Sequence, residues 1–397
     1  MKLTSEEQDM LDGKYGKAAQ KSMEILTTLG EIFDAECMVD VYGVQIAGVS
    51  YANLGEAGLE FLNEMAEDGK VRVLTTLNPA GMDRENWQAL GIDEEFAKNQ
   101  NRAIEAFAKM GIITTCSCTP YLIGNSPHFG QHLAWAESSA VCYSNSVIGA
   151  RTNREGGPSA LASAITGKTP KYGYHLDKNR HGDILIKVNV PVKGTDEFGV
   201  LGKIIGDKLV NLGKKIPYIT GVPTASVEEL KSFCASIATY GGTALFHMEG
   251  ITPEYNQYPQ PNNITFEINQ EDLDKARKEL IDDDLEIDFV SIGCPHASIH
   301  EIEKIANLIK GEKVNKEFWI TTARPTKRMA DEAGYTKIIE DAGAKFAADT
   351  CCVVAPIKGR FKAMMVDSAK ACYYGRAKNK FKVKIGPIEE CVREAIK

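Results

Sequence analysis

An α/β architecture with largely parallel sheets is what this sequence predicts, on three observations. Short apolar runs alternate with amphipathic segments along the whole chain, the pattern of strands joined by helical crossovers. Several of the runs break abruptly at a turn residue or a cysteine. The chain also has 397 residues, more than one core ordinarily organises, so two or three domains are expected. The expected regions are 1–175, 176–252 and 253–397, with the Pro- and Asn-rich stretch TPEYNQYPQPNN as the linker into the last.

The elements follow in order. LTSEEQDMLDGKYG puts Thr4 or Ser5 before acidic residues and then Met10 and Leu11, a capped helix ending near Gly13. GKAAQKSMEILTTLGEIF predicts a second amphipathic helix. CMVDVYGVQIA and VRVLTTLN read as strand-bearing runs, and IITTCSC as a strand-like run after a helical segment. From Leu122 to Thr169, Asn, Ser and Gly crowd a segment that is neither a clean helix nor a clean strand. GDILIKVNVPVKG and KIPYITGV then predict strands, each followed by a helix, EFGVLGKIIGDKLVNLG and VEELKSFCASIATYGG. The last region alternates again: IDFVSIGC, a helix near HEIEKIANLIKG, EFWITTA, a helix over MADEAGYTKIIEDAG, and KFAADTCCVVAP.

Composition removes several functional classes. The chain is 43% hydrophobic and 25% charged with a formal net charge of −8, which disfavours a nucleic-acid partner because phosphate contacts need clustered Lys and Arg. The N-terminus lacks the apolar segment of a signal peptide, and no run approaches the roughly 18 apolar residues of a membrane span. A cytoplasmic protein with no membrane partner is expected. Its ten cysteines then read as free thiols rather than a disulfide framework. Nucleotide motifs fail as well. Gly167-Lys168-Thr169 mimics the end of a phosphate loop, but no Gly stands five positions earlier. Gly199, Gly202 and Gly206 miss the dinucleotide spacing and read as turn or packing glycines.

Three cysteine segments share a context: IITTCSCTPY, VSIGCPHAS and ADTCCVVAP each break an apolar run at Cys. Loops at the carboxyl ends of parallel strands line the ligand crevice, so three such loops can bring three thiolates to one point. Three thiolates suit an iron–sulfur cluster with one iron free to act as a Lewis acid. The spacing lacks the compact ferredoxin pattern, and buried structural cysteines are the competing reading. Cys351 and Cys352 point to opposite faces of an extended chain, so not more than one of the two is expected as a ligand. Cys116 and Cys118 share a face, and Pro120 places Cys118 at the tip of the run. Cys37, Cys142, Cys234, Cys372 and Cys391 sit in apolar or helical surroundings and read as small buried hydrophobes.

The segment GNSPHFGQHLAWAESSAVCYSNSVIGARTNREGGPSA carries Gln131, His132, Glu137, Ser138, Ser139, Asn145, Thr152, Asn153 and Arg154 among small residues. So many hydrogen-bonding side chains make a poor core and a good polar pocket. The run Gly156–Ser159 starts a helix with Pro158 in its first turn. Free N–H groups there, beside Arg154, suit an anion. Ser50 and Asn53 in GVSYANLG, and Thr75 and Asn78 in TTLNP, are either helix caps and turns or site residues. Ser368 and Lys370 in DSAK are candidates for anion binding. His132 reads as structural, and His296 and His300 as supports of their cysteine loop.

On these blocks the chain resembles the aconitase X family over nearly its whole length. The carriers are CTPY at 118–121, the block from Gly124 to Pro158, GCPH at 293–296 and DTC at 349–351, with smaller echoes in GVSYANLG, TTLNPAGMD and DSAKACYY. The resemblance implies an aconitase-like multi-domain fold, with parallel-sheet domains around a central cluster-binding cleft. It implies a hydro-lyase with an iron–sulfur cluster, expected as 4Fe-4S, held by Cys118, Cys294 and Cys351. In the family the smaller swivelling domain, which carries a catalytic serine, is fused or supplied separately. The chain ends shortly after the large-part blocks, so a separate small subunit is the expected partner and no catalytic base is assigned here. Two substrates follow from the resemblance. Dehydration of (R)-5-phosphomevalonate in a modified mevalonate route is preferred over dehydration of cis-3-hydroxy-L-proline. A non-catalytic metal- or metabolite-binding subunit is the reading from another class.

Overall fold

The computed structural model describes residues 1–397. The first domain opens with α1 (Ser5–Leu11) and α2 (Lys17–Ile32). Thr4 starts α1 by a reciprocal cap: its Oγ1 accepts the Glu7 N–H at 3.3 Å, and Glu7 Oε2 accepts the Thr4 N–H at 2.8 Å. The remaining elements are β1 (Met38–Asp40), β2 (Gly43–Ile46), α3 (Tyr51–Met65), β3 (Leu74–Leu77), α4 (Glu94–Lys109), β4 (Leu133–Trp135), α5 (Ser138–Tyr143), α6 (Gly157–Thr166) and β5 (Lys168–Pro170). A parallel sheet runs β3-β2-β4, and β1 pairs antiparallel with β5. Small residues on α2 and α6 let these helices pack closely over the sheet.

The second domain holds β6 (Ile184–Val188), α7 (Gly194–Leu212), β7 (Pro217–Thr220), α8 (Val227–Gly241), β8 (His247–Met248), β9 (Thr265–Ile268) and α9 (Gln270–Glu279). Its parallel sheet has the order β8-β7-β6-β9. Gly202 and Gly206 are packing glycines, not phosphate binders. A Cβ on Gly202 would stand 2.9 Å from the Phe233 carbonyl, and one on Gly206 2.7 Å from the Gly241 nitrogen. The two backbones thus approach too closely for any larger residue.

The third domain comprises β10 (Phe289–Ile292), α10 (Ile299–Ile309), β11 (Glu317–Thr322), α11 (Arg324–Glu332), α12 (Tyr335–Asp341), β12 (Lys345–Ala348), β13 (Ala363–Val366), α13 (Ala369–Tyr374), β14 (Lys382–Ile385) and α14 (Ile388–Ile396). All five strands are parallel, in the order β12-β11-β10-β13-β14. Alternate residues serve opposite faces, as strand geometry requires. Val290, Phe318, Ile320 and Met365 pack under α10, α12 and α14. Phe289, Trp319 and Met364 face a second core that also takes Met82, Leu90 and Ile92 from the first domain and Val200 from the second. That shared core joins all three domains.

Four expectations change. The boundary at 252–253 falls inside the second domain, because β9 pairs with β6; the Pro- and Asn-rich stretch is a crossover within it. IITTCSC makes one bridge, Ile113 with Thr76, before the chain turns at Cys116, whose φ is 47°. The helix over MADEAGYTKIIEDAG is broken in two at Gly334, whose φ is 77°. The polar segment from 122 to 169 is ordered as β4, α5 and α6 with close connections. No helix is long and apolar enough to cross a membrane.

Candidate active site

Parallel strands deliver their following loops to one end of a sheet, and the candidate residues gather at those ends. Ser50 follows β2, Asn78 follows β3 and Glu137 follows β4. In the third domain Cys294 follows β10, Cys351 follows β12, and Ser368 and Lys370 follow β13. The Cys118 loop is tied to the first sheet by Gln45, a buried polar residue of β2 whose Nε2 donates to the Ser117 carbonyl at 2.8 Å.

Glu137 is the hub of the polar group. Lys370 Nζ donates to its Oε1 at 2.6 Å, Asn78 Nδ2 to its Oε2 at 2.8 Å, and the Ser139 hydroxyl to its Oε1 at 2.9 Å. Burial pushes the Glu137 carboxyl upward, but the Lys370 charge and these hydrogen bonds prevail and bring it to about 2. Burial likewise opposes the charge on Lys370, yet Glu137 and the thiols of Cys294 and Cys118 hold its ammonium above the ordinary value. Ser368 caps α13, its Oγ accepting the Ala371 N–H at 3.3 Å.

Lys370 also faces the cysteines. Its charge favours the thiolate form of Cys118, Cys294 and Cys351 alike. Burial is the larger influence and raises all three, Cys118 to about 12. Cys118 also feels the charges of Glu137 and Cys351, and Cys294 those of Cys351, Cys352 and Cys118. Three thiols from three loops therefore share one electrostatic neighbourhood. Cys116 and Cys352 belong to the hydrophobic cores of the first and third domains. Cys142, Cys234, Cys372 and Cys391 are buried and Cys37 is half-buried.

Three family models tile the chain: the aconitase X first domain on residues 1–178, the second on 182–278 and the third on 287–397. The chain belongs to the aconitase X family. It is 46% identical over 371 residues to the phosphomevalonate dehydratase large subunit of Methanothermobacter thermautotrophicus, covering 93% of this chain and 92% of the relative. The Thermococcus kodakarensis protein of the same name is 44% identical, with both chains covered in full. The cis-3-hydroxy-L-proline dehydratase of Hypocrea jecorina is 30% identical and matches all of this chain against 68% of its own length. The crystal structure of Thermococcus kodakaraensis aconitase X in its holo form superposes with a TM-score of 0.93 at 43% identity, covering both chains completely. The aconitase-like multi-domain fold is thereby established.

Within this aconitase X chain, four expected site residues serve the backbone instead. Asn145 Nδ2 donates to the carbonyls of Thr152 and Ala244, both at 2.9 Å, and its Oδ1 accepts the Thr152 N–H at 3.0 Å. Thr152 Oγ1 donates to the Asn153 carbonyl and accepts the Trp135 N–H. Asn153 braces Tyr172 and Tyr174, and Thr75 donates to the Val73 carbonyl. Asn53 is exposed on α3 and Ser138 half-buried at the start of α5. The helix start at 156–159 carries a cap from its own side chains. Ser159 Oγ accepts the Gly156 N–H at 3.0 Å and donates to Glu155 Oε2 at 2.6 Å, so a carboxyl stands where an anion was expected. Arg154 remains exposed, bonded only to the Gly242 carbonyl at 3.1 Å.

Other residues at these strand ends escaped the sequence reading. Arg324 Nη2 joins Asp83 Oδ1 at 2.5 Å and Asp349 Oδ2 at 2.6 Å, fixing the loop that leads to Cys351. Lys231 and Glu301 form a buried pair against His296, the histidine expected to support its cysteine loop. Tyr374, half-buried, lies close enough to Lys370, Glu137 and Cys294 to sense their charges. Their charged or aromatic identity was visible, but only folding shows that they share a neighbourhood.

Proposed function

We propose that this chain is the large subunit of an iron–sulfur hydro-lyase that dehydrates (R)-5-phosphomevalonate to trans-anhydromevalonate 5-phosphate. The observation that carries the substrate is the near-complete two-way match, at 42–46% identity, to four archaeal large subunits of that name. The hydroxyproline dehydratases are more distant, at 30%, and longer than the matched region. The donor set fits the cofactor. Cys294 and Cys351 come from strand-end loops of the third domain and Cys118 from a loop tied to the first sheet, and Lys370 offsets their negative charge. No three Cys, His, Asp or Glu groups are placed to grip a single metal ion; a 4Fe-4S cluster spans a wider set of thiolates. When bound, the cluster supplies a Lewis acid that makes the substrate hydroxyl a better leaving group.

The chain's own residues bind and orient. Glu137 keeps Lys370 and Asn78 in place and is too weak a base to take the substrate proton near neutral pH, given its position near 2. Following the family resemblance, we assign the base to the swivelling domain of a separate small subunit. Ser50 Oγ and Asn78 Oδ1 are buried without hydrogen-bond partners; the hydroxyl is available to a substrate oxygen, and the amide oxygen can accept from a substrate hydroxyl. Lys370 offers its remaining protons to an anionic group. Arg154 stands one residue before Glu155, whose N–H bonds the Trp135 carbonyl at the end of β4, and has no carboxylate partner; it suits the phosphate.

The test is anaerobic reconstitution of the chain with its small subunit, followed by assay on both substrates. Phosphomevalonate should be turned over and hydroxyproline spared; the reverse preference overturns the assignment. In the same preparation Cys118→Ser, Cys294→Ser and Cys351→Ser should each lose iron and activity, while Cys234→Ser should retain both. Equal iron in all four variants would refute the ligand set.

A further inference from the structure

His296 lies two residues after Cys294 and is completely buried. Three of its polar groups meet the cysteine loops of Cys118 and Cys351, and the fourth meets a buried lysine of the second domain. Its backbone N–H donates to Cys118 Sγ at 3.2 Å. Ring Nε2 meets the Thr350 carbonyl at 3.0 Å, one residue before Cys351. Ring Nδ1 meets the Ser117 hydroxyl at 3.1 Å, one residue before Cys118. Its carbonyl accepts from Lys231 Nζ at 2.9 Å.

The bond directions follow from the partners. A carbonyl only accepts, so Nε2 carries the proton and donates to Thr350. Nδ1 then accepts from the Ser117 hydroxyl. One neutral tautomer satisfies both contacts at once. Lys231 is itself buried and paired with Glu301, whose carboxylate also accepts the Ser298 N–H at 2.8 Å at the start of α10. One imidazole thus links the first domain's cysteine loop to both loops of the third, and Lys231 ties that link to the second domain.

We infer that His296 is a positioning residue that holds the three cysteine loops in register for the iron–sulfur group, its backbone anchored by Lys231 and Glu301. This rests on the cluster reading above. Ligands from three separate loops need a common brace, because thiolates misplaced by about 0.5 Å bind poorly. The N–H directed at Cys118 Sγ also stabilises that sulfur as a thiolate. Residues that orient metal ligands in this way typically contribute on the order of 10–100-fold in metal affinity. A histidine that merely filled space would leave iron retention unchanged.

The experiment measures iron release from the anaerobically reconstituted two-subunit enzyme to an excess of a ferrous-iron chelator. Circular dichroism and melting of the iron-free chain monitor the fold. His296→Ala should release iron on the order of 10–100-fold faster. His296→Gln, whose amide retains a donor for Thr350, should recover part of the difference, and Lys231→Met should be intermediate. A folded His296→Ala enzyme that releases iron at the wild-type rate overturns the inference while leaving the cluster reading intact. A wild-type enzyme that takes up no iron overturns the cluster reading and this inference with it. Should His296→Ala not fold, Ser117→Ala removes the partner of Nδ1, and Thr119→Val, which removes the Thr119 hydroxyl that also bonds Ser117, serves as its control. Several-fold faster release from Ser117→Ala than from Thr119→Val then supports the brace, and equal release overturns it.

Discussion

Glu137 and Lys370 show how strongly one buried pair shapes its surroundings. Each would resist ionisation alone at that depth, and each is held charged by the other. Lys370→Met should therefore destabilise the iron-free chain by about 3–5 kcal/mol, since it leaves a buried carboxylate uncompensated. Glu137→Gln with Lys370→Met should lose less than the sum of the single changes, which a double-mutant cycle in denaturant unfolding measures. A second pair gives a pH dependence. His132 and His175 meet through their Nδ1 atoms at 2.9 Å, and burial brings His175 down to about 3. Between that value and the unfolded value of about 6.5, only the unfolded chain takes up the proton, so stability falls as pH drops through this window. His175→Gln should flatten that slope by up to about 1.4 kcal/mol per pH unit, read from unfolding curves at pH 6 to 4.

At the level of elements, the ends of strands matter more than their interiors. Gly293 ends β10 with a φ of 108°, and a Cβ there would lie 2.1 Å from the Thr321 carbonyl. That carbonyl also receives the Ala297 N–H at 2.9 Å, so the turn presenting Cys294 is fastened to β11. Gly293→Ala should destabilise the chain by about 1–3 kcal/mol and lower its iron content, because the strain falls on the turn that aims the thiol. Iron per chain and the melting midpoint check this together. Normal iron loading in a destabilised variant would show that the turn does not set the position of Cys294.

The three domains behave as one body because their contacts are shared. The core under β10 and β11 draws Met82, Leu90 and Ile92 from the first domain and Val200 from the second, and His296 touches all three. On the proposed reading, the proton acceptor for the substrate is brought by the small subunit. The purified large subunit should accordingly take up iron yet turn over no phosphomevalonate until the small subunit is added. Closure by that subunit would also exclude water and strengthen the electrostatic effects of Lys370 and Glu137. Full turnover by the large chain alone would overturn the division of labour.

Much of this was legible in the residues themselves. Alternating apolar runs determine parallel strands and crossover helices, because side-chain periodicity dictates which backbone can bury them. The Thr4–Glu7 cap, the three Cys-bearing segments and the Glu137 and Lys370 blocks were visible for the same local reason. Tertiary structure alone decided the rest. Asn145, Thr152 and Asn153 looked like pocket residues, but the close turn after α5 left carbonyls and N–H groups that only these side chains could satisfy. The helix start at Gly156 looked ready for an anion until Ser159 and Glu155 closed over it. His296 was legible as a support of its cysteine loop, but Lys231 and Glu301 carry no local pattern that joins them to it. Their joint role arises because residues far apart in sequence meet in a buried space where every polar group must find a partner.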